Sequence, residues 1–105
     1  SLIVTGVQTC ALPIWAVKQL HNGSKVRRAG WNGKGMWLVY VPGSDITTRE
    51  GTPYARALGT NYDVTINPHI DMFTAQGTMQ PGWLASQTDM LADDWGIVDT
   101  APAAE

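Results

Sequence analysis

Residues 26–41 constrain the fold of this chain more than any other stretch. Two apolar runs, 26–30 and 36–41, flank Trp31-Asn32-Gly33-Lys34-Gly35. Asn-Gly between such runs is the strongest short hairpin signal, because both central residues of a type I′ turn take φ > 0. The expectation is an antiparallel pair that turns at Asn32-Gly33. Such a turn exposes backbone N–H groups and Lys34 between two indoles, Trp31 and Trp37. Amides and an ammonium suit phosphate, and an indole face suits a base, so the turn is a candidate cradle for a phosphorylated, base-bearing ligand. The plainer alternative is a hairpin whose tryptophans belong to the core, where large aromatics are found more often.

At 105 residues the chain has room for one domain and one core, with little margin. With a net charge of −2 and sparse charged residues, nothing suggests a surface for coating a nucleic-acid polymer or a polybasic membrane contact. No apolar run approaches the ~20 residues of a membrane span. The single cysteine, Cys10, excludes an internal disulfide and a cysteine zinc cluster. The aromatic content is mostly indole, five tryptophans against one phenylalanine, which favours ligand stacking or a buried interface.

Along the chain, Pro13 suits a first helical turn. Trp15, Ala16, Val17 and Leu20 form an apolar stripe, and Asn22-Gly23 supplies a left-handed stop about ten residues on. His21 then sits at the helix C-terminus, where a cation is favoured. A strand over 24–30 puts Val26 inward; the clearest strand, 36–41, is closed by Pro42-Gly43. Residues 44–61 are the least regular. There, 45–48 read as the start of a short helix or a lid and 54–58 as one helical turn before Gly59, in a segment that is either a cover over a ligand or a connector. A strand over 62–66 is broken by Asn67-Pro68 and resumes over 69–73; after a turn at 75–78, residues 79–84 pair back with Pro81 at an edge. Ser86 or Thr88 caps a short helix through Asp93, and 95–98 form a last strand. The expected fold class is α+β: an antiparallel β-sheet with an N-terminal helix packed on it and a short C-terminal helical turn.

Few residues suggest reaction chemistry. His69 and Asp71, two apart on a strand, share a face and suit an acid–base dyad, half a metal site or a plain hydrogen-bonded histidine. Ser86 has no nucleophile-elbow context, and Asp89, Asp93 and Asp94 lack calcium-loop spacing. The glycine-rich turn matches neither the Walker nor the dinucleotide fingerprint. Nothing here favours an enzyme or calls for a cofactor or metal.

Three blocks carry a resemblance. Arg28-Ala29-Gly30-Trp31-Asn32-Gly33-Lys34-Gly35-Met36, then Pro68-His69-Ile70-Asp71-Met72, then residues 83–95 from Trp83 to Trp95 resemble the phage Thoeris anti-defence proteins of the second type. The resemblance spans residues 15–98 and implies a sponge. Such a protein binds the cyclic ADP-ribose isomer made by Thoeris TIR proteins (glycocyclic ADP-ribose among them) without cleaving it. Some relatives also hold cyclic dinucleotides of CBASS defence at a separate site. It further implies a homo-oligomer, a tetramer built from dimers, acting in the cytoplasm of the infected bacterial host. On that reading Trp31, then Trp83, offers a face to adenine; Gly33, Lys34 and Gly35 supply N–H donors and a cation to the pyrophosphate, with Asn32 and Met36 beside them in the ligand-binding set; and Ser86, Gln87, Thr88 and Asp89 meet the riboses. The competing readings are an enzyme degrading the same signal with His69 and Asp71, and a protein-interaction module without a small ligand. Outside the resemblance, residues 4–14 resemble the conceptual translation of a common short-read sequencing adapter. Residues 1–14 are therefore expected to be a non-native extension, 15–98 a single ligand-binding domain and 99–105 a flexible tail. Finding these codons upstream of Trp15 in the source DNA would overturn the adapter reading.

Overall fold

The computed structural model describes residues 11–98; the proposed tail, Cys10 and most of the adapter-like stretch lie outside the described residues. Helix α1 (Pro13–His21) begins on its proline and stops at Asn22, with Gly23 at φ 93°. Strands β1 (Lys25–Arg28), β2 (Trp37–Val41), β5 (His69–Phe73), β6 (Met79–Gln80) and β7 (Trp95–Val98) form one five-stranded antiparallel sheet in the order β6-β5-β2-β1-β7. Helix α1 lays Ala16 and Leu20 on Val26, Leu38 and Trp95, and these five make the buried core. Val26 and Leu38 are fully buried, each stabilising the fold by roughly 1.5–3 kcal/mol. The class is α+β, as the sequence predicts.

Strand β2 continues past the sheet into an arm. Strands β3 (Ser44–Thr47) and β4 (Asp63–Ile66) pair with one another, and Ser44↔Ile66 keeps the register set by Val41↔His69. Continuing that register puts Pro42 opposite Pro68. Neither proline has an N–H to give to the ladder, so one long hairpin is divided into a sheet part and an arm part. Gly43 is needed at this joint, because a Cβ there would lie 2.6 Å from the Ile66 carbonyl oxygen. At the tip, helix α2 (Pro53–Leu58) is capped by Thr52, whose hydroxyl accepts from the Ala55 N–H. Thr48, only 2% exposed, closes the loop: its hydroxyl donates to Gly59 O at 2.6 Å and accepts from Tyr62 N–H at 2.9 Å.

Four local expectations are corrected. Asn32-Gly33 is not a type I′ turn; neither residue has positive φ, and only Gly35 in this loop does, at 78°. Residues 29–36 form a longer connection tied down by tertiary bonds, which override the turn preference. Residues 45–48 do not begin a helix; 45–47 lie in β3. The return strand stops at Gln80 rather than 84, just before Pro81. Helix α3 (Gln87–Leu91) ends before Asp93, and it is Ser86 that caps it, in a capping box with Asp89.

Candidate functional site

The loop over residues 29–36 is held by one arginine and two aspartates. The Arg28 guanidinium donates from Nε to Asp94 Oδ1 and from Nη1 to Asp89 Oδ1, both at 2.8 Å. The Gly30 N–H donates to Asp94 Oδ2 at 2.7 Å, and the Ala29 N–H to the Asp94 carbonyl at 3.1 Å. A Cβ at Gly30 would stand 2.8 Å from Asp94 Oδ2, so this closeness depends on glycine. The Trp31 indole N–H donates to Asp89 Oδ1 at 3.0 Å. Asp89 also serves α3, accepting from the Ser86 N–H through Oδ2, while its carbonyl receives the Trp95 indole N–H at 3.1 Å. Asp89 therefore ties three parts together, its carboxylate holding the loop and the start of the third helix and its backbone carbonyl holding the core tryptophan.

The charges follow. Burial pushes the Asp89 carboxyl up, but the bonds from Trp31, Arg28 and Ser86 outweigh it and hold the group below its ordinary value. Asp94 is held low chiefly by Arg28, against some burial and with help from Gly30 N–H. Arg28 is raised by Asp94 and then Asp89. Arg28 is thus neutralised in place.

With its N–H engaged, Trp31 can offer a ligand only its ring. Its indole meets Trp95 edge-on at 5.5 Å and Trp83 at 6.2 Å, and Trp83 and Trp95 meet at 6.3 Å, a three-indole cluster on the core. Beside it lies a cavity of about 300 Å³ lined by Trp31, Gly33, Lys34, Gly35 and Met36 together with Arg27, Arg28 and Ala29. Gly33 lets Met36 fold close, since a Cβ there would come 2.8 Å from the Met36 sulfur. The cavity therefore presents the loop backbone, two exposed cations and an indole, a setting for an anionic ligand with a planar ring.

Other predicted residues lie elsewhere. Asn32 is exposed in the loop and does not line this cavity. Trp83 and Asp89 border an apolar cavity of about 230 Å³ under α1 and α3, and Trp83 also borders a groove of about 340 Å³ with His21, Tyr40 and His69. The Ser86 hydroxyl accepts from the Asp89 N–H; Gln87 and Thr88 are exposed at the start of α3. His69 and Asp71 do meet, at 3.5 Å, but His69 Nδ1 also bonds Asn67 O and Asp71 accepts from Gly82 N–H. Among the described residues, no group of three or more histidine, cysteine or acidic side chains could hold a metal. The sequence reading missed Arg27 as a lining residue and Asp94 as an anchor; the one available signal was a pair of arginines and a pair of aspartates in a chain poor in charge.

Residues 14–98 match the profile of the Thoeris anti-defense 2-like domain. A protein of Bacillus phage SP01 named Thoeris anti-defense 2 is 32% identical over 83 residues, covering 79% of this chain and 89% of that protein. The chain belongs to the Thoeris anti-defense 2 family. Membership gives it a phage anti-defense role, and the match takes in the Trp31 loop, the Arg28 anchors and the whole β3–β4 arm. Among the described residues, no helix is long and apolar enough to cross a membrane.

Proposed function

We propose that this Thoeris anti-defense 2 family protein is a sponge: it binds a cyclic ADP-ribose isomer, glycocyclic ADP-ribose among them, and withholds it from the host's defence effector without cleaving it. The observation that carries the reading is the Trp31 cavity, where an anchored indole, the Gly33-Lys34-Gly35 backbone and two cations converge. Adenine stacks on Trp31, and the pyrophosphate takes the loop N–H groups and Lys34. The anchoring of the loop by Asp89 and Asp94 means little ordering remains when the ligand arrives, which favours the tight binding that depletion requires. Nanomolar affinity corresponds to about −12 kcal/mol. Trp83, Ser86, Gln87 and Thr88 lie beyond the cavity wall in this chain and meet ligand held by a partner copy in a homo-oligomer, a tetramer of two dimers; Asp89, with both carboxylate oxygens engaged, serves the site by holding Trp31. On the same reading, cyclic dinucleotides of CBASS defence bind at a separate site, and the protein acts in the host cytoplasm.

Calorimetric titration with glycocyclic ADP-ribose, followed by heat release and chromatography of the ligand, tests this reading. Tight binding with intact ligand recovered is expected. Altered ligand would overturn sequestration and point to His69 and Asp71 as an acid–base pair. No binding of any cyclic nucleotide would leave a protein-interaction module.

A further inference from the structure

The loop over residues 29–36 is held unevenly along its length. The hydrogen bonds that tie it to the body leave from its first half: the Ala29 and Gly30 N–H groups donate to Asp94, and the Trp31 indole donates to Asp89. Among the described residues, 32–36 make no hydrogen bond. Yet Gly33, Lys34 and Gly35 line the cavity on the side proposed for the pyrophosphate. What holds this second half is packing, and the packing is closest at Gly33. A Cβ there would stand 2.8 Å from Met36 Sδ and 3.1 Å from Ala75 Cβ. Ala75 belongs neither to the loop nor to the strands that carry it; it lies in the turn between β5 and β6.

That turn is firmly built. The Thr74 N–H donates to the Thr78 carbonyl at 2.7 Å, and the Gly77 N–H to the Thr74 carbonyl at 2.9 Å. The two threonine hydroxyls meet at 2.8 Å, and the Thr74 hydroxyl accepts from the Thr78 N–H at 3.1 Å. Gly77 makes the reversal at φ 84°, where glycine is at ease. At the base of the turn Phe73 pairs with Met79 and stacks on Trp37, with 4.9 Å between ring centres and 12° between planes. Trp37 follows Met36 directly, so the turn and the end of the ligand loop stand on the same pair of rings. A methyl group on so firm a base makes a stop. The Met36 side chain, with three rotatable bonds, gives way more easily.

We propose that the β5–β6 turn is the second support of the ligand loop and that Ala75 is a positioning residue, its methyl group fixing where the N–H groups of Gly33, Lys34 and Gly35 stand. Arg28, Asp89 and Asp94 hold the indole half of the loop by charge-assisted hydrogen bonds, and Ala75 holds the phosphate half by contact alone. Hydrogen bonds to a phosphate need donors within ~2.7–3.2 Å, so a shift of about an ångström at Gly33 takes them out of reach. A gap of ~0.5–1 Å at a van der Waals contact forfeits a quarter to a half of its attraction. Removing the Ala75 methyl therefore lets the loop drift, and adding a methyl at Gly33 pushes it away. The bearing of Ala75 on ligand rests on the pyrophosphate reading in the proposed function; its placing of the loop is measurable without ligand.

Moving one methyl group across the contact is the test. Gly33→Ala sets a methyl against Ala75; Gly33 does not have positive φ, so the alanine meets the contact and not backbone strain. Ala75→Gly removes the stop, and the double variant puts a single methyl back between the two backbones. In calorimetry with glycocyclic ADP-ribose, each single change is expected to weaken binding about tenfold and the double variant to return to within about threefold of wild type. Gln76→Gly loosens the same exposed turn without touching Gly33 and is expected to bind as wild type does. In the ligand-free proteins, the amide resonances of Gly33, Lys34 and Gly35 should move in both single variants and return in the double, while that of Leu38 stays in place. Single variants that bind like wild type, or losses that add in the double variant, overturn the role of Ala75, as does a Gln76→Gly loss equal to that of Ala75→Gly. A wild-type protein that binds no glycocyclic ADP-ribose removes the pyrophosphate reading instead, and the amide resonances then decide whether Ala75 places the loop.

Discussion

Asp89 shows how a single carboxylate can make a loop into a site. It accepts from Arg28, Trp31 and Ser86 at once, so its removal takes one of the two carboxylates from Arg28 and leaves the partly buried Trp31 indole N–H without its acceptor. Asp89→Asn keeps the shape but removes the charge, and the expected loss is about 2 kcal/mol of stability in urea titrations at neutral pH. Acid acts on the same group. Asp89 and Asp94 are both held below the ordinary carboxylate value of about 3.9, so the folded state favours their charged forms. The stability they contribute is complete above that value and is lost as pH falls through the lower folded-state values. Urea midpoints should therefore fall from pH 4 downward, and Asp94→Asn should flatten that fall; equal slopes in the two proteins would remove Asp94 from the account. Trp31→Ala has a different signature. Its ring is the surface proposed for adenine, so calorimetry should show a large loss of affinity with the particle mass unchanged.

Elements were legible in the sequence where their signals are local. Pro13, Asn22-Gly23 and an apolar stripe suffice for α1, and Ser86 with Asp89 suffices for the start of α3, because caps act within a few residues. The β1–β2 connection misled because its conformation is set from a distance: Asp94 holds Gly30 and Asp89 holds Trp31 across about sixty residues of sequence, and those bonds outweigh what Asn-Gly prefers in isolation. Strand β3 was illegible for a related reason. Ser44, Asp45 and Thr47 are exposed, so β3 has no buried alternation to announce it, and only pairing with β4 makes it a strand. The same limit applies to the site. The glycine-rich loop could be read from its composition, whereas Arg27 and Asp94 join it only through the fold of the sheet. The arm itself depends on Thr48, whose hydroxyl is the one link between the Gly59 carbonyl and the Tyr62 N–H. Thr48→Val keeps the shape and removes both bonds. Amide exchange at Tyr62 should then accelerate at least about tenfold, as expected for a lost hydrogen bond worth roughly 1.4 kcal/mol, while exchange at Leu38 in the body stays as it was.

At the scale of the whole molecule, the helices provide for only half of what the sheet exposes. A small chain buries a modest share of its surface on folding, and here one sheet face is left with a stacked Trp37–Phe73 pair and Val39 in its middle. In the homo-oligomer proposed above, folding and association are linked, and stability depends on protein concentration by mass action. The melting temperature of the wild type should then rise across a hundredfold increase in concentration, because the unfolding equilibrium releases separate chains. Ligand adds to this in a separable way: at about 100 times its dissociation constant it stabilises the native state by about 2.7 kcal/mol, whatever the chain concentration. Scanning calorimetry over both variables therefore distinguishes a surface that pairs chains from a cavity that holds nucleotide. A concentration-independent wild-type melt that still shifts with cyclic ADP-ribose would keep the cavity and remove the homo-oligomer.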